Sequence, residues 1–190
     1  MKKLINMRQM ALVLTAAATA ALFAGCASPA KYSGPRKCQF FGNTYEIAPG
    51  NVYENAIGIG QIKDGVFPSK EYVKTMKIVL ETTLKMTGFF APNAKKSPYV
   101  VHVNILEKNM QPDMNGTFDS GAFDLTVEYI VVDRATNTEI YNKKLNGEYR
   151  PDSKANVSPY ANQIALGAAT GQFMSEIIEQ SLTSTKVETP

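Results

Sequence analysis

The stretch AFDLTVEYIVVDRATNTEIYNKKLNGEYR, residues 122–150, holds the clearest strand pattern of the chain. From residue 123 to residue 129, apolar side chains alternate with polar ones, which is the period of a strand with one buried face. The polar run DRATNT at 133–138 has the length of a hairpin turn, and a second strand pattern follows it. The segment therefore predicts two antiparallel strands that cover one side of a core.

Two further strands and two helices are predicted around this hairpin. One strand pattern, YVVHVNILEKN, covers 99–109, and a shorter one ends at Asp64-Gly65. The spacing of apolar residues predicts one helix over 70–87 and another over 159–182. The apolar face of the first helix consists of Val73, Met76, Leu80 and Leu84. This order predicts an α+β fold, a two-layer sandwich in which an antiparallel sheet of about four strands carries two helices on one face.

The amino terminus has the three parts of a secretory signal peptide. Lys2, Lys3 and Arg8 form a basic start without an acidic residue, and an apolar run follows from 10 to 24. This run is shorter than the ~20 residues that a permanent membrane-spanning helix requires. A basic start, a short apolar run and small residues before a cleavage point are typical of a signal peptide. We therefore expect residues 1–25 to be removed.

The sequence LFAGCAS at 22–28 resembles the lipobox of bacterial lipoproteins, whose usual form is Leu-Ala/Ser-Gly/Ala-Cys, with Phe23 where leucine is commonest. The resemblance implies cleavage between Gly25 and Cys26, a diacylglyceryl group on the Cys26 sulfur and an acyl chain such as palmitate on the new amino terminus. Several acyl chains together form a stable anchor, whereas a single chain binds a membrane reversibly. The alternative is cleavage by the ordinary signal peptidase, which leaves Cys26 as a thiol.

The residues after the cysteine bear on location and on domain boundaries. Ala27 follows Cys26, and by the sorting rule of enteric bacteria the absence of aspartate there implies the periplasmic face of the outer membrane. Inner-membrane retention and surface exposure are the alternatives. We expect a lipidated tether at 26–39, a single periplasmic domain at 40–184 and a disordered tail at 185–190. Cys38 is either a small buried residue or a thiol available for an intermolecular bridge.

The charge balance excludes one large class of partners. The chain has 20 Lys plus Arg and 17 Asp plus Glu. The signal peptide contains three of the basic residues and no acidic residue, so the mature chain is balanced at 17 against 17. A neutral domain gives no electrostatic basis for binding nucleic acid or for broad adhesion to anionic lipid. We expect no nucleic-acid partner, and membrane contact through the lipid anchor.

Candidate catalytic and metal-binding residues are few. His102 is the single histidine, and it lies in a strand pattern with no Ser or Cys nearby in the sequence. This favours a structural role for His102 over general-base catalysis. The segment that begins at Asp113 lacks the EF-hand pattern, because its sixth position is not glycine. We expect no catalytic residue, no metal site and no cofactor.

Two long polar loops, at 111–121 and 150–158, flank the hairpin and are candidate binding surfaces. The alternative is that they are solvated connectors. The candidate contact residues in these loops are Asp113, Asn115, Phe118, Asp119, Arg150, Asp152 and Lys154.

The segments LETTLKMTGFF, YVVHVNI and LTVEYIVVDRATNTEIYNKKLNGEY, in this order before a closing helix, resemble a group of small envelope lipoproteins. The group is that of YajG, LpoB and the curli channel protein CsgG, whose periplasmic domain is similar to the amino-terminal domain of TolB. The similarity covers about 52–182, with Asn137 in a turn position where the group often has glycine. It implies a non-catalytic accessory module that binds an envelope protein in assembly or transport.

An exposed strand edge also predicts weak self-association, because a second copy can add a strand there. Two alternatives stay open. One is an envelope enzyme that acts on peptidoglycan or lipid through His102. The other is an accessory subunit of a secretion channel.

Overall fold

The computed structural model describes residues 34–40, 42–66, 70–110, 122–150 and 161–184. Its elements are strands β1 (Arg36–Phe40), β2 (Asn43–Ile47) and β3 (Ile57–Asp64), helix α1 (Lys70–Thr87), strands β4 (Tyr99–Met110), β5 (Phe123–Asp133) and β6 (Thr138–Tyr149), and helix α2 (Ala161–Ser184). β1 and β2 pair as a hairpin, and the other four strands form one sheet in the order β3-β4-β5-β6. The four-stranded sheet and the two helices confirm the predicted α+β class.

One edge of the sheet differs from the antiparallel arrangement expected from the sequence. β4, β5 and β6 are antiparallel neighbours, but β3 pairs with β4 in parallel, with Ile57 opposite Tyr99 and Asp64 opposite Ile105. The reason is α1, which connects these two strands. A helical crossover returns the chain to the end of the sheet at which it started, so the next strand runs in the same direction. The sheet is therefore mixed, and β3 and β6 are its edges.

Helix α1 has the bounds that its sequence predicts. On its predicted apolar face, Met76, Leu80 and Leu84 are buried. Val73 on the same face is half-buried. Gly88 follows the helix with a φ of 80°, in the left-handed region, and the Phe89 amide donates to the Leu84 carbonyl oxygen at 2.9 Å. Glycine adopts this conformation without the strain that a Cβ causes. The turn delivers Phe89 into the core, where it is fully buried.

Helix α2 is fixed on the sheet by an aromatic pair. Tyr129 of β5 and Phe173 of α2 stack with their ring centroids 4.6 Å apart and an angle of 6° between the rings. Both side chains are fully buried, and the Tyr129 hydroxyl is hydrogen-bonded to Thr170 Oγ1 at 3.0 Å. Burial raises the pKa of Tyr129 above its usual range. The phenol therefore stays neutral inside the core, with its polar atom satisfied.

Gly147 of β6 lets α2 approach the sheet backbone to backbone. A Cβ at this position would lie 2.7 Å from the carbonyl carbon of Ala165, and nearer still to the carbonyl oxygen. Real side chains do not tolerate such a contact with backbone, so a larger residue here would displace the helix. The short distance between α2 and β6 therefore depends on this one glycine.

The β1–β2 hairpin packs against α1 and α2. Its buried side chains are Cys38, Phe40, Tyr45 and Ile47. β1 begins at Arg36, inside the stretch that we assigned to the tether. Cys38 is 1% exposed, with its sulfur 3.6 Å from the carbonyl oxygen of Met86. Cys38 therefore lies buried in the domain.

We expect Gly147→Ala to lower the free energy of unfolding by about 1–3 kcal/mol, the usual cost of overpacking. The added methyl group presses on the Ala165 carbonyl and forces α2 away from β6. Lys144→Ala is the control, because Lys144 is exposed in the same strand and such changes alter stability by roughly 0.5 kcal/mol or less. Chemical denaturation measures both variants. Equal stability of the two would contradict the backbone-to-backbone contact.

Candidate functional site

The outer side of the edge strand β6 is partly covered by glutamines of α2. Gln180 Nε2 donates to the Ile140 carbonyl oxygen at 3.2 Å, and Gln172 Nε2 donates to the Asn146 carbonyl oxygen at 3.0 Å. Peptide groups alternate in direction along a strand, so those of Asn142 and Lys144 face the same outer side as that of Asn146. β6 therefore presents a short stretch of backbone between two capped carbonyl groups, which suits pairing with another strand.

A groove of about 500 Å³ runs between β6 and α2 beside this stretch. It is lined by Ile140, Tyr141, Asn142, Lys143, Glu176, Glu179 and Gln180. Within it, Glu176 Oε2 accepts hydrogen bonds from Tyr141 Oη at 3.0 Å and from Lys143 Nζ at 2.7 Å. Burial, and then the bond to the Glu176 carboxylate, raise the pKa of Tyr141 above its usual range. Tyr141 therefore remains a neutral donor that fixes the position of Glu176.

The second carboxylate of the groove is held from the other side of α2. Glu179 Oε1 accepts a hydrogen bond from Tyr45 Oη at 3.0 Å, and the same hydroxyl contacts Ser175. The β1–β2 hairpin therefore positions a residue of the groove as well as closing the core. These groups provide acceptors, donors and an open strand edge, which suit binding an extended chain by strand addition. They do not form a pair of nucleophile and base.

His102 lies on the sheet face opposite the helices, since its neighbours Val101 and Val103 point into the core. His102 Nδ1 accepts a hydrogen bond from the Gln61 amide at 3.1 Å. A Cβ at Gly60 would lie 2.7 Å from His102 Cε1, so the imidazole packs closely on this glycine. The ring therefore fills the irregularity in β3 between Ile59 and Ile62. In a catalytic triad, a carboxylate orients the imidazole by bonding to Nδ1. In His102, Nδ1 is bonded to a backbone amide instead.

A buried ion pair, which the sequence did not reveal, joins the ends of β3 and β4. Lys108 Nζ lies 2.5 Å from Asp64 Oδ2, and the side chains are only 7% and 1% exposed. The same ammonium group lies 3.9 Å from the centroid of the Tyr72 ring on α1, within the range of a cation–π contact. The cluster ties both strand ends to the first turn of α1.

A β-bulge explains why Lys108 points inward. Alternation along β4 would place Lys108 with His102 and Asn104 on the outer face. The pairing with β5 shifts between Ile105 and Glu107, so that Lys108 lies opposite Leu125, a core residue. One inserted residue reverses the face of every residue that follows it. No local pattern in the sequence marks this shift.

Of the binding residues predicted in the two loops, the structure describes Arg150. Its guanidinium Nη1 lies 2.6 Å from Asp124 Oδ1, and Nη2 lies 3.8 Å from Glu148 Oε2. The bond to Asp124 raises the pKa of Arg150 further above its already high value. The other loop residues, together with the signal peptide, Cys26 and the tail, lie outside the described residues. Within 34–40, 42–66, 70–110, 122–150 and 161–184, no group of three or more His, Cys, Asp or Glu could hold a metal ion.

No protein-family model matches the sequence, and no curated protein sequence matches it. Solved structures do match. A PelC dodecamer from Paraburkholderia phytofirmans aligns with a TM-score of 0.50 and 12% identity, over 67% of this chain and 90% of that chain. The protein XCC0632 from Xanthomonas campestris gives 0.49 and 10%, over 73% and 94%. A minor lipoprotein from Acinetobacter baumannii gives 0.44 and 16%, over 68% and 96%. This chain therefore shares the PelC fold.

We expect Lys108→Ala to lower the free energy of unfolding by about 3–5 kcal/mol, because it removes the ammonium charge that lies against the buried Asp64 carboxylate. The double variant Asp64→Leu/Lys108→Met removes both charges and should lose less stability than Lys108→Ala alone. Lys85→Ala is the matched control, since Lys85 forms an exposed pair with Glu81, which contributes about 0.5 kcal/mol or less. Thermal and chemical unfolding compare the three. A Lys108→Ala variant as stable as the control would refute the buried pair.

Proposed function

We propose that this protein is a lipid-anchored, non-catalytic accessory module of the bacterial envelope, which binds a protein partner and further copies of itself through the edges of its sheet. The observation that carries the proposal is the β6 edge, where the backbone at Asn142 and Lys144 faces outward beside an open groove. Such an edge offers main-chain bonds for affinity and neighbouring side chains for specificity. In envelope assembly or transport, the module then acts by binding its protein partner rather than by catalysing a reaction.

The lipobox-like sequence supports the anchor. We propose cleavage before Cys26, acylation of that residue and attachment to the periplasmic face of the outer membrane. Arg36, the start of β1, lies ten positions after Cys26 along the chain. An extended chain spans at most about 3.5 Å per residue, so β1 begins within about 35 Å of the membrane. This keeps the domain near the membrane and raises its effective concentration for partners there.

The PelC likeness supports self-association as part of the proposal. The PelC protein with this fold is a dodecamer, and two exposed sheet edges on one domain are suited to repeated contacts between copies. The resemblance to the YajG, LpoB and CsgG group suggests the same use of the domain in the envelope. We propose that this chain belongs to that group, because of the sequence resemblance and because of the fold that it shares with PelC.

Two rivals are weaker on the observations at hand. An enzyme using His102 would need a carboxylate or nucleophile at the imidazole, whereas Nδ1 is bonded to the Gln61 amide. A secretion-channel accessory subunit would need ring-forming oligomers and an amphipathic membrane insertion, and the sequence carries no recognisable insertion of that kind. Neither helix of the described part of the chain has the length and hydrophobicity needed to cross a membrane.

The proposal is tested by intact mass and membrane fractionation of the native protein beside Cys26→Ser. We expect the native protein to begin at Cys26, to carry the added mass of acyl chains and to sediment with outer membranes. Cys26→Ser should be neither acylated nor sedimented. Cys38→Ser is the control, because Cys38 is buried in the domain and its loss leaves acylation intact. A soluble native protein with an unmodified Cys26, or with Cys26 in a disulfide, would refute the lipid anchor.

A further inference from the structure

The two edges of the four-stranded sheet carry charges of opposite sign. At one edge, β3 and the first half of α1 expose four ammonium groups, those of Lys63, Lys70, Lys74 and Lys77. One exposed carboxylate, that of Glu71, lies among them. We call this surface the basic edge. It also holds Ile78, which is 37% exposed and is one of two large apolar side chains exposed in the described residues.

The opposite edge is formed by β6 and α2, and its charge is negative. Its carboxylates are those of Glu139, Glu176 and Glu179, of which Glu139 and Glu179 are exposed. Two ammonium groups lie on β6: that of Lys143 is paired with Glu176 at 2.7 Å, and that of Lys144 is exposed. Against the three carboxylates they leave a net charge of −1. We call this surface the acidic edge. It contains the groove described above, with half-buried Ile140 in its lining.

We propose that copies of this chain associate head to tail, with the basic edge of one copy against the acidic edge of the next. The inference rests on the self-association in the proposed function and names the surfaces that perform it. In such a contact, Ile78 of one copy meets the groove of the next, and the lysines around it face Glu139 and Glu179. Opposite charges at the rim select this orientation, since basic against basic and acidic against acidic repel.

The strand directions are compatible with this arrangement. β3 is parallel to β4, and two antiparallel steps separate β4 from β6, so β3 and β6 run in the same direction. Copies related by a head-to-tail repeat keep their strand directions, and β6 of one copy then lies parallel to β3 of the next. When copies join through unlike surfaces, one basic edge stays open at one end of the assembly and one acidic edge stays open at the other end. Assembly therefore continues until the rotation between copies closes a ring.

Charge reversal on each edge tests the proposal. Lys74→Glu/Lys77→Glu reverses the basic edge, and Glu139→Lys/Glu179→Lys reverses the acidic edge. We expect each variant alone to associate about tenfold or more weakly than the native protein, because like charges then meet at every contact. A 1:1 mixture of the two should assemble again, since native edges pair with native edges and reversed with reversed. Sedimentation velocity of the full purified protein at low and high salt measures both effects.

Lys37→Glu/Glu46→Lys is the matched control. It reverses two exposed charges that lie opposite each other on the β1–β2 hairpin and belong to neither edge as defined above, and it should associate like the native protein. Circular dichroism confirms that each variant is folded, and a misfolded variant could not restore assembly in the mixture. If the native protein associates but the edge variants associate equally well, the named surfaces are wrong while self-association stands. If the native protein is monomeric even at low salt, self-association itself is refuted.

Discussion

The close contact between α2 and β6 is the constraint on which the rest of the structure depends. Because Gly147 has no Cβ, the carbonyl group of Ala165 can approach the strand directly. At that distance the glutamine side chains of α2 reach over β6 and bond to its outward carbonyl groups. The stacked pair of Tyr129 and Phe173 holds the helix in this position. The groove and the capped strand edge are therefore consequences of how one helix packs on the sheet.

Local patterns in the sequence were enough for the fold class and for the elements of the four-stranded sheet with its two helices, but not for β1, which begins inside the predicted tether. The bounds of α1 and the turn at 133–138 followed from apolar spacing and turn chemistry, and Asn137 adopts a φ of 55°, as a glycine-like turn position requires. The direction of β3 was not predicted, because it depends on a crossover rather than on residues of β3. The inward orientation of Lys108 was not predicted either, since a one-residue bulge in β4 has no signature in the alternation of apolar residues.

The candidate site was predictable only in outline. An exposed strand edge was expected to allow self-association, but the predicted contact residues all lay in the two long polar loops at 111–121 and 150–158. The groove depends on residues from β6 and α2 that are about 35 positions apart, such as Tyr141 and Glu176, and single-sequence patterns do not pair such residues. The opposite charges of the two sheet edges likewise become visible only when the strand order is known. His102, which was expected to be structural, accepts a hydrogen bond from the backbone amide of Gln61.

The central claim is that the module acts through the edges of its sheet. Amide hydrogen exchange of the assembled protein, compared with the same protein dissociated at high salt, tests it most directly. The account predicts slower exchange on assembly in two segments, 139–146 of β6 and 61–66 at the end of β3, with little change in the hairpin strand β2. Edge amides that pair or become covered exchange more slowly than exposed ones. Protection confined to β1 and β2, with both sheet edges unchanged, would contradict the account.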